Sequence, residues 1–347
     1  MNRKISIHPD FKLNGRSYSQ DAICELAITL IKDGEPHEKD FGNLILQWFD
    51  ENDYISLMTS GTTGAPKEIK LAKQAMNASA LATGEFFKLK PKDKALLCLP
   101  TRYIAGKMMF IRAIVLGLEL DVVNPTKDPL KNNNKVYDFV AMVPLQVQNS
   151  ITQIEQCKTV IVGGAKLNDT VKNMLENMLV DVYETYGMTE TITHIAAKKI
   201  TEKYFTVLPH ANISTDKRGC LVIEAPLVSD FLIVTNDLIE MPNEIQFKWL
   251  GRFDNIINSG GVKLVPEIIE QKLSEYIPYR FFVIGKNDEN LGEKLVLVIE
   301  HDPYTLVPEA LESLEKYEKP KEIIFTKNFK ETPTGKILRR DTLNSFQ

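Results

Sequence analysis

Apolar and polar positions in the first half of the chain follow two periods. The spacing of amphipathic helices is found in Asp21 to Lys32, Phe41 to Asn52 and Lys73 to Phe87. Short apolar runs, typical of strands, are found in Lys4 to Ile7, Tyr54 to Met58, Ala95 to Leu99, Phe139 to Val143, Thr159 to Val162 and Val182 to Glu184. Strands that alternate with helices favour a mainly parallel sheet covered by helices.

The second half is richer in strand patterns and divides near residue 251. Leu221 to Glu224 and Phe231 to Thr235 are predicted strands, and a glycine-containing stretch from Trp249 to Gly261 follows them. Beyond it, the pattern predicts a small α+β unit with helices at Pro266 to Tyr276 and Pro308 to Tyr317, and strands at Phe281 to Ile284, Leu295 to Glu300 and Glu322 to Phe325. We therefore predict one domain over residues 1–251 and a second over residues 252–347.

The stretch from Thr59 to Lys67 has the composition of a phosphate-binding loop. Hydroxyl groups can donate to phosphate oxygens, glycines let the backbone approach closely, and Lys67 supplies a positive charge. The spacing is not that of a Walker A loop, because two residues separate the glycines and Glu68 follows the lysine. A solvated turn is the alternative. The residues concerned are Thr59, Ser60, Gly61, Thr62, Thr63, Gly64 and Lys67.

Further polar clusters follow predicted strands. Gly163, Gly164 and Ala165 come directly after one strand, where a glycine pair permits close packing of a flat ligand or simply forms a turn. The next strand leads into Tyr186 to Glu190, which combines an aromatic ring for stacking, a hydroxyl for phosphate and a carboxylate for magnesium. Asp237 can accept two ribose hydroxyls, although an ordinary turn aspartate is the alternative.

Arg112 lies in an apolar helical pattern, with apolar neighbours on both sides. A charge in such a helix either reaches the surface along its aliphatic stem or meets an anion in a pocket. The pattern alone favours the surface position.

Composition excludes several classes of protein. The 347 residues include 44% hydrophobic and 25% charged residues, as in ordinary globular proteins. The net charge of -4 argues against a nucleic acid or an anionic membrane surface as the main partner. No signal peptide or membrane-spanning run is present, so we expect a cytoplasmic protein. The cysteines, predicted to be reduced and buried, are Cys24, Cys98, Cys157 and Cys220.

Five stretches together resemble the adenylate-forming superfamily of acyl-CoA synthetases, aryl-CoA ligases, luciferases and peptide-synthetase adenylation domains. They are Thr59 to Lys67, Gly163 to Ala165, Tyr186 to Glu190, Gly251 to Gly261 and Pro333 to Lys336. Within the superfamily, the chain is most similar to the o-succinylbenzoate-CoA ligases of menaquinone biosynthesis.

The resemblance implies a large N-terminal α/β domain with mixed sheets and a small C-terminal α+β domain joined by a hinge. The phosphate-type loop begins at Thr59, far earlier than is usual in the family, so the N-terminal subdomain must be shortened. Two consequences stay open: a wider acyl pocket, or a homodimer in which a second copy supplies its wall.

The resemblance also implies a two-step reaction. A carboxylate attacks the α-phosphate of ATP to give an acyl-adenylate and pyrophosphate, and the thiol of coenzyme A then displaces AMP. By the same resemblance, Thr59 to Lys67 contact the β- and γ-phosphates. The residues expected to hold the nucleotide are Gly163, Gly164, Ala165 and Tyr186 around adenine, Asp237 and Arg252 at the ribose, and Gly187 next to Tyr186.

Three residues are expected to act on the reacting groups. Thr189 touches the α-phosphate, Glu190 holds Mg²⁺, and Lys336 bridges the attacking carboxylate and the α-phosphate. A positioned lysine and a divalent cation offset the repulsion between two anions. Asp254 matches the hinge of the mobile domain. The pantetheine tunnel is expected along Ser259, Gly260 and Gly261.

The acid itself is expected near Gly106 and Arg112. Pro100 to Gly106 occupies the place of a Pro-x-x-His-x-Ser-Gly pattern, from which it departs at two side chains. Arg112 matches an arginine that faces the substrate in o-succinylbenzoate ligases, where a second carboxylate would offset a buried charge. Thr193 and His194 are further candidates to bind the acid, with a structural role for His194 as the alternative.

Three functions therefore compete. The resemblance favours an ATP-dependent ligase that joins o-succinylbenzoate to coenzyme A. The first alternative is a coenzyme A ligase for another aromatic or fatty acid. The second is a non-catalytic nucleotide-binding protein, against which the joint presence of Lys336, Glu190 and Asp254 argues.

Overall fold

The structure is a computed structural model that describes residues 6–59, 67–331 and 337–346. The helices are α1 (Gln20–Asp33), α2 (Pro36–Phe49), α3 (Lys73–Phe87), α4 (Ile104–Leu116), α5 (Pro144–Asn149), α6 (Asp169–Leu175), α7 (Pro266–Leu273), α8 (Pro308–Glu312) and α9 (Arg339–Asn344). The strands are β1 (Lys12–Leu13), β2 (Tyr54–Thr59), β3 (Lys67–Ala72), β4 (Lys94–Leu97), β5 (Glu119–Val122), β6 (Tyr137–Met142), β7 (Cys157–Val162), β8 (Asp181–Gly187), β9 (His194–Lys199), β10 (Phe205–Val207), β11 (Asn212–Thr215), β12 (Cys220–Glu224), β13 (Ile233–Asn243), β14 (Gln246–Arg252), β15 (Ile257–Ser259), β16 (Val262–Leu264), β17 (Phe281–Asp288), β18 (Gly292–Glu300) and β19 (Glu322–Thr326).

The chain divides into two compact units. Unit 1 comprises Met1–Ile213, Ile223–Ile233 and Asn243–Phe247. Unit 2 comprises Ser214–Val222, Val234–Pro242 and Lys248–Gln347. The functional domain boundary that we place between residues 251 and 252 stays a prediction.

A mixed sheet organises unit 1. Its strands follow the order β1-β5-β4-β6-β7-β8-β9-β10. Neighbours from β1 to β8 run parallel, whereas β8, β9 and β10 pair antiparallel. Successive side chains of β6 enter different apolar cores, with Phe139 in one and Val140 in the other, because side chains alternate between the faces of a strand. Burial of both faces confirms the predicted mainly parallel sheet with covering helices.

The phosphate-type loop lies between the strands of a separate hairpin. β2 and β3 pair antiparallel from Tyr54 with Ala72 to Thr59 with Lys67. Ile55 and Leu57 of β2 are buried in the core of unit 1. The apolar run before the loop is therefore a strand, as predicted.

Helix boundaries follow local capping chemistry. α1 begins after Ser19, whose Oγ accepts the Ala22 N–H at 3.2 Å. α2 begins at Pro36 rather than at the predicted Phe41, because proline suits the first turn and the Glu38 carboxylate accepts the N–H of the N-cap residue. α3 coincides with its predicted range.

Several strand predictions were wrong in extent. Ser6 and Ile7, the described part of the first predicted strand, lie outside any strand, and pairing with β5 begins only at Lys12. β13 runs to Asn243, well beyond the predicted Thr235. Its buried positions include Thr235 and Asp237, so polar side chains point inward and conceal the apolar alternation.

The C-terminal part of unit 2 has the predicted α+β character. Its sheet has the order β16-β15-β18-β17, and β19 pairs parallel with β18. Along β17, Phe282 and Val283 enter different apolar clusters. α7 and α8 are shorter than predicted and end at Leu273 and Glu312. The other strand segments of unit 2 belong to the run β14-β13-β12-β11.

Two expectations from composition can be compared with the structure. Cys98, Cys157 and Cys220 are buried free thiols, as predicted, whereas Cys24 is only partly buried. Within the described ranges, no helix has the length and apolar character needed to cross a bilayer.

Gly42 of α2 packs closely against α1, and we expect alanine to be destabilising there. An added Cβ would lie 2.6 Å from the Ala27 carbonyl oxygen. Glycine to alanine in an open helix position is normally stabilising by roughly 0.5–1 kcal/mol. Because the backbones must instead separate, Gly42→Ala should lower the free energy of unfolding by about 1–3 kcal/mol. Denaturant titration of the wild-type protein and the variant measures this change in the free energy of unfolding. Asn43→Ala, at an exposed position of α2, is the control, and an equal gain in both variants would contradict the close packing.

Candidate active site

The glycine segment after β7 lies beside the end of β8. The two strands run parallel, with Val162 paired to Glu184. Thr185 Oγ1 donates to the Val162 carbonyl oxygen at 3.0 Å, and a Cβ on Gly163 would lie 3.1 Å from that hydroxyl. Gly164 has φ +87°, a conformation that favours glycine. The sequence-predicted Gly163, Gly164 and Ala165 are thus next to the segment that carries Tyr186.

Tyr186 is held by two aromatic neighbours. Its ring meets Phe247 edge-on at 5.1 Å and Phe205 at 6.1 Å between centroids. The two phenylalanines stack on each other at 5.4 Å. This packing fixes the plane of a partly exposed ring at the end of β8, as an adenine-stacking role requires.

Gly187 permits a close approach between two candidate segments. An added Cβ would lie 2.2 Å from the Thr193 carbonyl oxygen and 2.5 Å from Cα of His194. The ladder between β8 and β9 also shifts register at Tyr186 and Gly187. Glycine is therefore needed here for packing. It allows Thr193 and His194, the candidates to bind the acid, to lie beside the segment from Tyr186 to Glu190.

Thr189 and Glu190 lie in a 3-10 turn, Thr189–Thr191, directly after β8. Glu190 is exposed and Thr189 is partly buried. No group of three His, Cys, Asp or Glu side chains in the described part of the chain is arranged to hold a metal. A single carboxylate still fits Mg²⁺, because that ion commonly takes one or two carboxylates together with phosphate oxygens and waters.

Arg112 is buried in unit 1, with 2% of its surface exposed. The surface position favoured by the helix pattern is therefore wrong. Nε donates to Thr83 Oγ1 at 3.3 Å, and Nη2 donates to Thr193 Oγ1 at 3.1 Å. Among the described residues, the recorded partner of Nη1 is the Met109 sulfur at 3.8 Å, a weak acceptor. Burial lowers the pKa of Arg112 to about 9, so the guanidinium stays charged at neutral pH.

His194 completes the surroundings of this guanidinium. Nη2 of Arg112 lies 3.4 Å from Nδ1 of His194, and Nε2 of His194 lies 3.4 Å from Thr83 Oγ1. Because a guanidinium only donates, Nδ1 must accept and the ring proton must be on Nε2. Burial, and then the charge of Arg112, hold the pKa of His194 well below its usual value. We name Ser79, Thr83, Arg112, Thr193 and His194 the Arg112 cluster.

Sequence reasoning missed Ser79 and Thr83 of this cluster. Both are fully buried on α3, and Thr83 Oγ1 donates to the Ser79 carbonyl oxygen at 2.9 Å. Ser79 Oγ lies 3.4 Å from Thr193 Oγ1. Two hydroxyl residues four positions apart on the buried face of a helix were the available signal, because buried polar groups require partners.

Glu184 is a second residue that sequence reasoning missed. Its carboxylate binds Lys172 at 2.8 Å, Lys198 at 3.1 Å and the Leu167 N–H at 3.3 Å. Burial opposes ionisation, but the two lysines hold the pKa of Glu184 below its usual value. This buried network connects α6, β8 and β9. The Gly163 to Ala165 segment precedes α6 in the chain.

Gly106 has a packing reason in the structure. Within α4, an added Cβ would lie 2.4 Å from the Pro100 carbonyl oxygen. Glycine therefore allows the turn before α4 to fold onto the helix that carries Arg112. Direct contact of Gly106 with an acid stays a prediction.

In unit 2, residues predicted for ribose binding and for the hinge come together. Arg252 Nη1 lies 3.6 Å from Asp237 Oδ1, and Nη2 donates to Asp254 Oδ2 at 3.1 Å. Trp249 Nε1 donates to Asp237 Oδ1 at 3.1 Å, and Asn236 Nδ2 donates to both oxygens of Asp254. The fold of unit 2 thus gathers side chains that lie up to 18 positions apart, 236 to 254.

The predicted pantetheine segment is a hairpin turn. Ser259 ends β15, and Gly260 and Gly261 have φ values of +58° and +82°. Two consecutive positive φ values are the requirement of a type I′ turn, for which glycine is well suited. A role in binding coenzyme A stays a prediction.

Some predicted site residues lie outside the described ranges, namely Ser60, Gly61, Thr62, Thr63, Gly64 and Lys336. The flanking backbone is described in both cases. Thr59 pairs with Lys67 across the β2–β3 hairpin, and Glu331 pairs antiparallel with Ile337. The Leu338 N–H also donates to the Lys330 carbonyl oxygen at 2.8 Å. The ends of both segments are therefore held together.

Comparison with known proteins identifies the family. Residues 17–216, more than half of the chain, match the AMP-binding enzyme family. The chain belongs to this family.

Individual members of known families are also similar to this chain. The chain is 25% identical to a 2-succinylbenzoate--CoA ligase of Listeria monocytogenes, over 94% of this chain and 74% of that one. It is 36% identical to an acyl-CoA synthetase (AMP-forming)/AMP-acid ligase II-like protein from Dyadobacter fermentans, with a TM-score of 0.63 over 93% of this chain and 98% of that one. The o-succinylbenzoate coenzyme A synthetase from Bacillus subtilis, in complex with ATP and magnesium, shares the fold with a TM-score of 0.72 at 18% identity, over 83% and 69% of the two chains.

The depressed pKa of His194 predicts a pH dependence of stability. The unfolded histidine binds a proton below about pH 6.5, whereas the folded ring stays neutral. The free energy of unfolding should therefore fall as the pH drops below 6.5, with a contribution of up to about 1.4 kcal/mol per pH unit. Denaturant titrations between pH 7.5 and 5.5, roughly one unit either side of the histidine pKa, should show a smaller fall for His194→Gln.

His37→Gln on α2 is the matched control for this experiment, because it removes an imidazole outside the Arg112 cluster. An unchanged pH dependence in His194→Gln would show that the ring takes up a proton in the folded protein.

Proposed function

We propose that this protein is an ATP-dependent ligase that adenylates 2-succinylbenzoate and transfers the acyl group to coenzyme A. The observation that carries the proposal is Arg112, a buried cation whose recorded partners among the described residues include no carboxylate. Membership of the AMP-binding family supports the chemistry, and the similarity to 2-succinylbenzoate--CoA ligases supports the acid.

Burial of a guanidinium needs compensation. Hydroxyl and imidazole groups accept hydrogen bonds from Nε and Nη2, but Nη1 contacts a thioether. An anionic ligand at Nη1 would restore charge balance and form strong charge-assisted hydrogen bonds. 2-Succinylbenzoate has two carboxylates, so one can react while the other pairs with Arg112. An acid with a single carboxylate cannot do both.

The other residues have roles in the same reaction. Gly163 to Ala165 and Tyr186 flank adenine, and Asp237 with Arg252 binds the ribose hydroxyls. Thr189 donates to the α-phosphate. In the first step the acid oxygen attacks the α-phosphorus and pyrophosphate leaves; in the second the sulfur of coenzyme A attacks the acyl carbon and AMP leaves.

Two groups offset the negative charge during the first step. Lys336 would bridge the attacking carboxylate and the α-phosphate, where a positive charge stabilises the transition state. Glu190 would hold Mg²⁺, which neutralises phosphate charge when bound.

Loss of Arg112 should remove the preference for the dicarboxylic acid. We expect Arg112→Met to lower kcat/KM for 2-succinylbenzoate by roughly 100-fold, because a buried charge pair is lost. Turnover of benzoate should change far less. Pyrophosphate release with 2-succinylbenzoate, benzoate, a cinnamate and a medium-chain fatty acid, each with and without coenzyme A, measures the profile.

Lys107→Met is the matched control, because Lys107 is also a buried cation of α4 but lies outside the Arg112 cluster. It should leave the acid preference unchanged. Turnover of another acid instead of 2-succinylbenzoate would keep the chemistry and overturn the substrate. Failure with every acid would favour a non-catalytic nucleotide-binding protein.

The role of Lys336 predicts a separation of the half-reactions. Lys336→Ala should reduce adenylate formation by about 100- to 1,000-fold, the usual loss for one preorganised donor. Thioester formation from a supplied acyl-adenylate should continue, because the α-phosphate has already reacted. Lys327→Ala, at an exposed position of the same unit, serves as the control. Equal losses in both half-reactions would contradict the assigned role.

A further inference from the structure

His210 has a hydrogen-bonding capacity that the described residues do not use. Both ring nitrogens are buried and have no hydrogen-bond partner among those residues. Burial also lowers the pKa of His210, so the ring is neutral at neutral pH. A neutral imidazole has one N–H donor and one acceptor nitrogen. Buried polar groups without partners are costly and uncommon, so a ligand is a reasonable source of the missing bond.

The backbone brings the segment that carries His210 to the start of β9. β10 pairs antiparallel with β9, Val207 opposite Ala196, and the Leu208 N–H donates to the Ile195 carbonyl oxygen at 2.8 Å. His210 follows two residues later, in a turn closed by the Ala211 N–H and the Leu208 carbonyl oxygen, and β9 begins at His194, the neighbour of Ile195. Burial, then the charge of Arg112 and then that of His210 lower the pKa of His194.

The Arg112 cluster does not need His210 for its own hydrogen bonds. Nδ1 of His194 accepts from Arg112, and its Nε2 lies against Thr83 Oγ1. Thr193 Oγ1 in turn accepts from Arg112. The hydrogen bonds of Thr193 and His194 are therefore formed without His210, which leaves the imidazole of His210 available to contact a ligand.

We propose that His210 is a specificity-determining residue that donates its ring N–H to the ketone oxygen of the acid. This inference rests on the proposed function. 2-Succinylbenzoate has two carboxylates and one ketone: one carboxylate reacts, Arg112 pairs with the other, and the ketone is the remaining acceptor. A neutral donor suits a neutral carbonyl oxygen, just as the guanidinium suits a carboxylate.

The test compares 2-succinylbenzoate with the analogue in which a methylene replaces the ketone. The wild-type enzyme should prefer the ketone by roughly five-fold in kcat/KM, the worth of one hydrogen bond. His210→Phe keeps a ring of similar size without an N–H and should reduce this ratio to about one, while the KM for ATP stays unchanged. Arg112→Met should weaken both dicarboxylic acids alike and keep the ratio.

Amide variants separate a lost hydrogen bond from a disturbed fold. In His210→Asn the amide N–H lies near the position of Nδ1, and in His210→Gln near that of Nε2. Recovery of the ketone preference by either variant supports the proposal and identifies the donating nitrogen. His37→Phe on α2 controls for the exchange of histidine for phenylalanine.

The outcomes distinguish the two proposals. An unchanged ketone preference in His210→Phe, with normal wild-type turnover, overturns the role of His210 alone. A parallel rise in the KM for ATP assigns His210 to the fold and overturns it as well. Failure of the wild-type enzyme to use 2-succinylbenzoate overturns the proposed function together with this inference.

Discussion

The buried guanidinium of Arg112 is the constraint on which the candidate acid site depends. A charge in an apolar helix is costly unless its N–H groups are bonded. Two segments supply the acceptors: α3 provides Thr83, while Thr193 and His194 come from the segment at the start of β9. The positions of these elements are thereby coupled, while the partner of Nη1 among the described residues is a thioether, a weak acceptor. The packing of these elements and the proposed acid selectivity therefore involve the same side chain.

Close backbone approaches connect this cluster to the nucleotide motif. Gly187 ends β8 and touches the backbone of Thr193, so the segment that carries Tyr186 and the segment that contacts Arg112 are adjacent. The parallel order of β7 and β8 places the Gly163 segment on the other side of Tyr186. Parallel strands present their carboxyl ends at one edge of a sheet, and ligands of such folds bind there. A nucleotide at that edge would lie next to the acid that it activates.

Local sequence patterns predicted which helices and strands exist better than they predicted the first and last residues of each. α3 matched its predicted range, whereas α2 began earlier than predicted because Pro36 suits the first turn of a helix. β13 was cut short in the prediction because inward polar residues such as Asp237 break the alternation. The surface position predicted for Arg112 was wrong for a related reason. The helix pattern shows the neighbours of Arg112 within α4, but it does not show Thr193, which lies 81 positions away in the sequence.

The sequence by itself determined the alternation of strands and helices, the α+β character of the last 96 residues (252–347) and the motifs that define the AMP-binding family. These depend on local spacing and on residue type. Only the tertiary structure decided that Arg112 is buried, that Ser79, Thr83 and Glu184 belong to polar networks, and that both buried ring nitrogens of His210 lack a hydrogen-bond partner among the described residues. Each of these facts depends on contacts between distant segments, and the free energy of a buried polar group is set by partners that no local pattern contains.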